Sequence, residues 1–232
     1  YATSRWRESF SEEDIFVSVI LDVLKEKEDI RNPSELFNNK IKKMSILIDE
    51  CCGSAGFSET QESQCNKEQA KFFNGVGNLF FNIFKVSESI PYYKKAVELA
   101  LHIAVYHENL GGAYKGLKQW EEAEQSYLEA IKLEPKSAGY HNTLGNMYWE
   151  ISDWEKAINE YTEAFELDKQ PMYLCNRGRA YGSLGQYDKM IEYCGRAVEL
   201  RRETLTDAFG LDYYYEFLAE AYFRDNRLPE FE

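Results

Sequence analysis

Residues 107–135, HENLGGAYKGLKQWEEAEQSYLEAIKLEP, and residues 141–169, HNTLGNMYWEISDWEKAINEYTEAFELDK, superpose at an offset of 34. Leu110-Gly111 with Tyr114 matches Leu144-Gly145 with Tyr148, and Ala123 with Tyr127 matches Ala157 with Tyr161. Working outward, Val76-Gly77 with Phe80 and Arg177-Gly178 with Tyr181 take the same spacing, and Leu218-Ala219 with Tyr222 is a weaker last copy. The glycines at 77, 111, 145 and 178 step by 34, 34 and 33 residues. Ser89 with Tyr93 and Met190 with Cys194 extend the second set. Ala96, Ala130, Ala164 and Ala197 recur inside AVEL, AIKL, AFEL and AVEL, and Pro135 closes one unit.

Repetition at this period marks stacked supersecondary units. The pattern resembles the tetratricopeptide repeat, Trp-x2-Leu-Gly-x2-Tyr followed by Ala-x3-Phe, Ala and Pro over 34 residues, across about 70–232. Each unit is then two antiparallel helices. Small residues sit where helices approach closely, and the tyrosines fill the space beside them. A lone hairpin cannot bury its apolar face, so neighbours must stack. The resemblance implies an all-α superhelix, a TPR solenoid, with a concave groove. Its units would run about 70–103, 104–137, 138–170 and 171–211, with a partial fifth at 212–232.

Composition agrees with an all-helical reading. Of 232 residues, 44% are hydrophobic and 15% aromatic, while only 5 are proline. No Val/Ile/Thr alternation recurs at hairpin spacing. The net charge of −13 repels phosphate backbones, which disfavours nucleic acid as a partner. No apolar run reaches the roughly 18 residues of a membrane span; Ile15 to Leu24 is interrupted by Ser18 and Asp22. The five cysteines, Cys51, Cys52, Cys65, Cys175 and Cys194, are odd in number and form no Cys-x-x-Cys pair. Free thiols are therefore expected, and with them a reducing, cytoplasmic location.

Some stretches depart from the repeat. Between Ala96 and Leu110 no Pro, Gly or Asn-Pro marks a turn, leaving a tight turn and one continuous helix both open. Tyr181 to Tyr222 spans 41 residues, so the helix through AVELRRETLTDAF should overrun its neighbours and stop at Gly210. The fifth unit offers DYYYEFLAEAYF and no polar capping helix, as expected of a piece of a longer protein. Residues 1–69 do not repeat. Ser11 with Asp14 has capping-box spacing, and a second helix should begin at Asn32-Pro33-Ser34 with Phe37, Ile41, Met44, Ile48 and Cys51 on one face. This segment reads as an N-terminal helical cap or as an element for self-association. GSAGFSETQESQ reads as a loop.

A turn of 100° per residue places Leu144 and Tyr148 on one side of the third unit's first helix, and Asn142, Asn146 and Trp149 on the other. The resemblance implies that this second side lines the groove. Equivalent positions are Asn74, Asn78 and Phe81 in the first unit; Glu108, Gly112 and Lys115, flanked by Asn109, in the second; Cys175 and Arg179, flanked by Asn176, in the fourth; and Tyr213, Glu216, Glu220 and Phe223 in the fifth. A carboxamide both donates and accepts, so asparagines can pair with an extended peptide backbone whatever its side chains. The stripe resembles the asparagine ladder in the repeats of a glycosyltransferase. The plainer alternative is asparagine as a neutral residue on a wet helix face. A dicarboxylate clamp for chaperone tails is incomplete: Asn142 stands where a lysine belongs, and Tyr213 and Phe217 occupy the last basic places.

No Ser-His-Asp set, phosphate loop or His-Glu-x-x-His occurs. His107 and His141 are equivalent packing residues rather than a metal pair. The expected activity is that of an adaptor or scaffold binding an extended or helical peptide of another protein, with no enzyme activity, no metal and no cofactor. The rivals are a substrate-presenting or regulatory domain of a larger enzyme, such as a glycosyltransferase, and a peptide-sensing regulator.

Overall fold

The computed structural model describes residues 59–83, 85–204 and 211–226. The helices expected from Ser11 and Asn32, and their role as cap or self-association element, lie outside the described residues. Tyr1–Gln69 and Ala70–Glu232 form two compact units. The described residues contain nine helices and no strand. They are α1 Glu59–Asn82, α2 Val86–Leu99, α3 Ala104–Gly116, α4 Trp120–Leu133, α5 Ala138–Glu150, α6 Trp154–Leu167, α7 Pro171–Ser183, α8 Tyr187–Thr204 and α9 Leu211–Arg224.

α1 overturns part of the loop expected over GSAGFSETQESQ, because Glu59–Gln64 is helical. The glycines that suggest a loop end at Gly56, and Glu59, Gln61, Glu62 and Gln64 are good helix formers. The junction left open after Ala96 is a tight turn. α2 ends at Leu99, and the Ile103 N–H donates to the Ala100 carbonyl at 3.1 Å before α3 begins. α8 has 18 residues against 14 in α4 and in α6, so it overruns them as expected; its continuation past Thr204 lies outside the described residues.

Within each hairpin the glycine of the first helix meets the second helix sixteen positions on. A Cβ at Gly77 would stand 2.6 Å from the Tyr93 ring; at Gly111 and at Gly145 it would stand 2.8 Å from Tyr127 and Tyr161. At Gly178 it would meet the Cys194 sulfur at 2.9 Å. These are approaches that a side chain forbids. Around them Leu144, Ala123, Ala157, Ala164 and Ala197 are fully buried, and Tyr148 nearly so.

The turns inside the hairpins repeat as faithfully as the core. Lys118, Ser152 and Gly185 each adopt a left-handed backbone, with φ of 59°, 63° and 74°. The residue after each donates back into the first helix: Gln119 to the Tyr114 carbonyl at 3.0 Å, Asp153 to Tyr148 at 2.9 Å, and Gln186 to Tyr181 at 2.9 Å. This is the Schellman closure, which satisfies carbonyls that the helix end would otherwise leave unpaired. Asn226, φ 57°, repeats the left-handed residue after α9.

Candidate functional site

The odd-numbered helices carry the stripe of polar residues read from the sequence. Along it the side chains bond mainly to one another. Asn109 donates to Asn74 Oδ1 at 2.8 Å, Thr143 to Glu108 Oε1 at 3.2 Å, and Asn176 to Asn142 Oδ1 at 2.9 Å. Each bond joins the first helix of one hairpin to the first helix of the next, by the same two positions every time. Asn78 and Asn146 accept instead from within their own hairpins, from the Tyr93 and Tyr161 hydroxyls at 2.8 Å each. The six asparagines are thus half-buried or buried and already hydrogen-bonded. The sequence signal for the cross-hairpin bonds is a polar residue at one position and another 34 or 35 residues later.

A fourth cross-link is ionic: Lys115 Nζ lies 2.6 Å from Glu150 Oε1 between α3 and α5. Burial pushes the Glu108 carboxyl upward, and the Thr143 hydroxyl works against that shift. Farther along, Arg179 of α7 lies over the Trp149 ring at 5.0 Å and the Phe217 ring at 4.4 Å, so it bridges α5 and α9. Tyr213 packs edge-on against Phe217 at 4.9 Å. Among the described residues no carboxylate forms an ion pair with Arg179. Glu216 is exposed on α9, and Cys175, which holds the equivalent place on α7, is fully buried. Phe81 and Phe223 are exposed. The stripe is therefore acidic about α3 and cationic and aromatic about α7.

Two polar atoms along it are buried and unpaired, Tyr127 Oη and Trp149 Nε1.

A TPR repeat family model matches residues 111–152, and a tetratricopeptide repeat model matches 138–171 and 173–204. The chain is a tetratricopeptide-repeat protein. Solved structures similar to this tetratricopeptide-repeat chain include MamA from Desulfovibrio magneticus (TM-score 0.57, 18% identity, 68% of this chain and 86% of that one). PilF of Pseudomonas aeruginosa is also similar (TM-score 0.58, 16% identity, 69% and 71%). Both establish likeness of fold. Among curated proteins, O-mannosyl-transferase Tmtc3 of Drosophila melanogaster is 35% identical over 60 residues, 26% of this chain. The match spans 6% of that relative's length. Tetratricopeptide repeats of this kind form protein–protein interaction modules.

The remaining candidates for chemistry in this tetratricopeptide-repeat protein are engaged in packing. His107 Nε2 lies 3.0 Å from the Leu101 carbonyl, and His141 Nδ1 lies 2.8 Å from Glu160 Oε2. No group of three His, Cys, Asp or Glu able to hold a metal occurs among the described residues. Cys175 and Cys194 are free and buried. Cys65 is disulfide-bonded, which overturns the expectation of free thiols at that position and removes its support for a reducing compartment. No helix among the described residues is long and apolar enough to cross a membrane.

Proposed function

We propose that the face formed by α3, α5, α7 and α9 holds an extended segment of a partner protein. The observation that carries this reading is Arg179: a half-buried guanidinium, flanked by Trp149 and Phe217 and unopposed by any acid among the described residues. A cation held between aromatic faces, and already hydrogen-bonded to the Tyr213 side chain, keeps its remaining in-plane N–H groups for a ligand while the rings offer apolar area. The acidic Glu108 end and the cationic Arg179 end give the segment a direction. In this reading Asn142, Asn146 and Asn176 shape the floor, and Trp149, Arg179 and Glu216 make most of the side-chain contact.

Selection from a displayed random 12-residue peptide library, followed by calorimetry, tests the reading. Binding should weaken about tenfold or more in Arg179→Ala and in Trp149→Ala, as for anchor residues of an interface. It should be unchanged in Glu163→Ala, an exposed position of α6. If no binder emerges, or if Glu163→Ala hurts as much as Arg179→Ala, the face is wrongly assigned.

A second reading has its own support. The 35% identity with a segment of O-mannosyl-transferase Tmtc3 favours repeats that present substrate to, or regulate, a larger enzyme. It predicts that Arg179→Ala in the longer protein changes transfer to protein acceptors and leaves transfer to small acceptors unaltered.

A further inference from the structure

Two opposite charges on the stripe are half-buried and lack a counter-charge. Glu108 of α3 accepts from the Thr143 hydroxyl at 3.2 Å, and Arg179 of α7 lies over the Trp149 ring at 5.0 Å. Among the described residues neither forms an ion pair. Lys115, the stripe's other cation, is taken by Glu150 at 2.6 Å. Drawing a charge part-way out of water without an opposite partner costs stability. Each is therefore a place where a ligand group of the opposite sign gains. In the repeat register Glu108 stands three residues before its glycine and Arg179 one after, so they occupy one face a helical turn apart.

The two charges lean on one helix from opposite sides. Thr143 and Trp149, their contacts on α5, are six positions apart. That is about 9 Å of helix rise, and side-chain reach widens the gap between the charges to roughly 10–20 Å. An extended chain covers such a gap in about three to six residues, at about 3.3 Å each. Burial raises the Glu108 carboxyl, opposed only by the Thr143 hydroxyl, so a cation from outside would supply the missing opposing charge. Arg179, hydrogen-bonded to the Tyr213 side chain, keeps further N–H groups for a carboxylate, which a guanidinium holds by paired bonds. A segment with acids at both ends would meet Glu108 as a like charge. We propose that the partner segment is bipolar: a lysine or arginine pairs with Glu108 and, about three to six residues away, an aspartate or glutamate pairs with Arg179. This rests on the reading of the stripe as the binding face, and it adds what the segment must carry.

Peptides selected on the parent protein from the displayed 12-residue library test this. Their sequences should be enriched in a basic and an acidic residue about three to six positions apart. Calorimetry with one such peptide then isolates the charges. Glu108→Gln, which keeps an oxygen for the Thr143 hydroxyl, should weaken binding about fivefold or more, as for a close charge pair across an interface. Replacing the peptide's basic residue by glutamine should cost as much on the parent protein and nothing further on Glu108→Gln. Arg179→Gln and the peptide's acid should behave as a second such pair. Four glycines inserted between the two charges of the peptide should also weaken binding about fivefold or more. The proposal is overturned if the selected peptides lack either charge, if the losses from Glu108→Gln and from the peptide's basic residue add in full, or if the inserted glycines cost nothing. Should Glu108→Gln not fold, the peptide substitutions on the parent protein decide. The binding face survives those results as long as Arg179→Ala and Trp149→Ala weaken binding; if they do not, face and proposal fall together.

Discussion

The third and fourth hairpins reach the same backbone geometry with different chemistry. In the third, Leu144 and Gly145 meet Tyr161, whose hydroxyl is held by Asn146 at 2.8 Å. In the fourth, Arg177 stands in place of Leu144 and Cys194 in place of Tyr161. Arg177 is 9% exposed; it donates to Thr162 at 3.1 Å, covers the Tyr193 ring at 3.9 Å, and leaves Nε without a partner. The left-handed turn and the tight glycine contact survive both changes. Helix approach is thus set by the small residue and the turn, whereas the filling of the gap beside it tolerates wide substitution.

The largest break in this comparison should come from Leu144→Ala. Leu144 is fully buried at the centre of the third hairpin's contacts, and such truncations cost about 2–5 kcal/mol. Because each repeat leans on its neighbours, thermal unfolding followed by circular dichroism should shift down by about 10 °C or split into two steps. A shift under about 2 °C would mean that Leu144 is no part of a shared core. Arg177→Leu should move the other way. It exchanges a buried guanidinium, with no acid at ion-pair distance among the described residues, for the apolar residue of the third hairpin, and should gain about 1 kcal/mol, read as a rise of about 2–4 °C. A loss instead would show that Thr162 and Tyr193 compensate the charge fully.

Tyr161→Phe and Tyr127→Phe sharpen the same point at smaller scale. The first deletes a made hydrogen bond and should cost about 1 kcal/mol; the second deletes an unmade one and should cost nothing or stabilise slightly. Equal losses in urea melts would refute the difference between Asn146 and Gly112.

The hairpins were legible because their determinants are local and repeat: a glycine, an aromatic sixteen positions on, and a run of alanines. Glu59–Gln64 departs from the loop reading because the loop composition lies upstream of it and its own residues favour helix. The asparagines are legible on the odd-numbered helices, but their bonding depends on the residue one hairpin away, which a single helical wheel does not show. Arg179 is legible as a stripe residue, while its place between Trp149 and Phe217 needs three hairpins at once. The unpaired Tyr127 is harder still to read, being defined by a side chain that Gly112 does not have.

The finest test lies in the turns. Ser152 holds φ at 63° where the fourth hairpin has Gly185 at 74°. A side chain in the left-handed region costs about 1–2 kcal/mol, and glycine gives back part of this through its freer unfolded chain. Ser152→Gly should therefore stabilise by about 0.5 kcal/mol, and Gly185→Ser should destabilise by a similar amount. A double-mutant cycle read by chemical denaturation should find the two effects additive, since the turns belong to different hairpins. If Ser152→Gly destabilises instead, the left-handed turn is held by the serine side chain rather than by the Schellman closure, and the third and fourth hairpins do not share one way of turning.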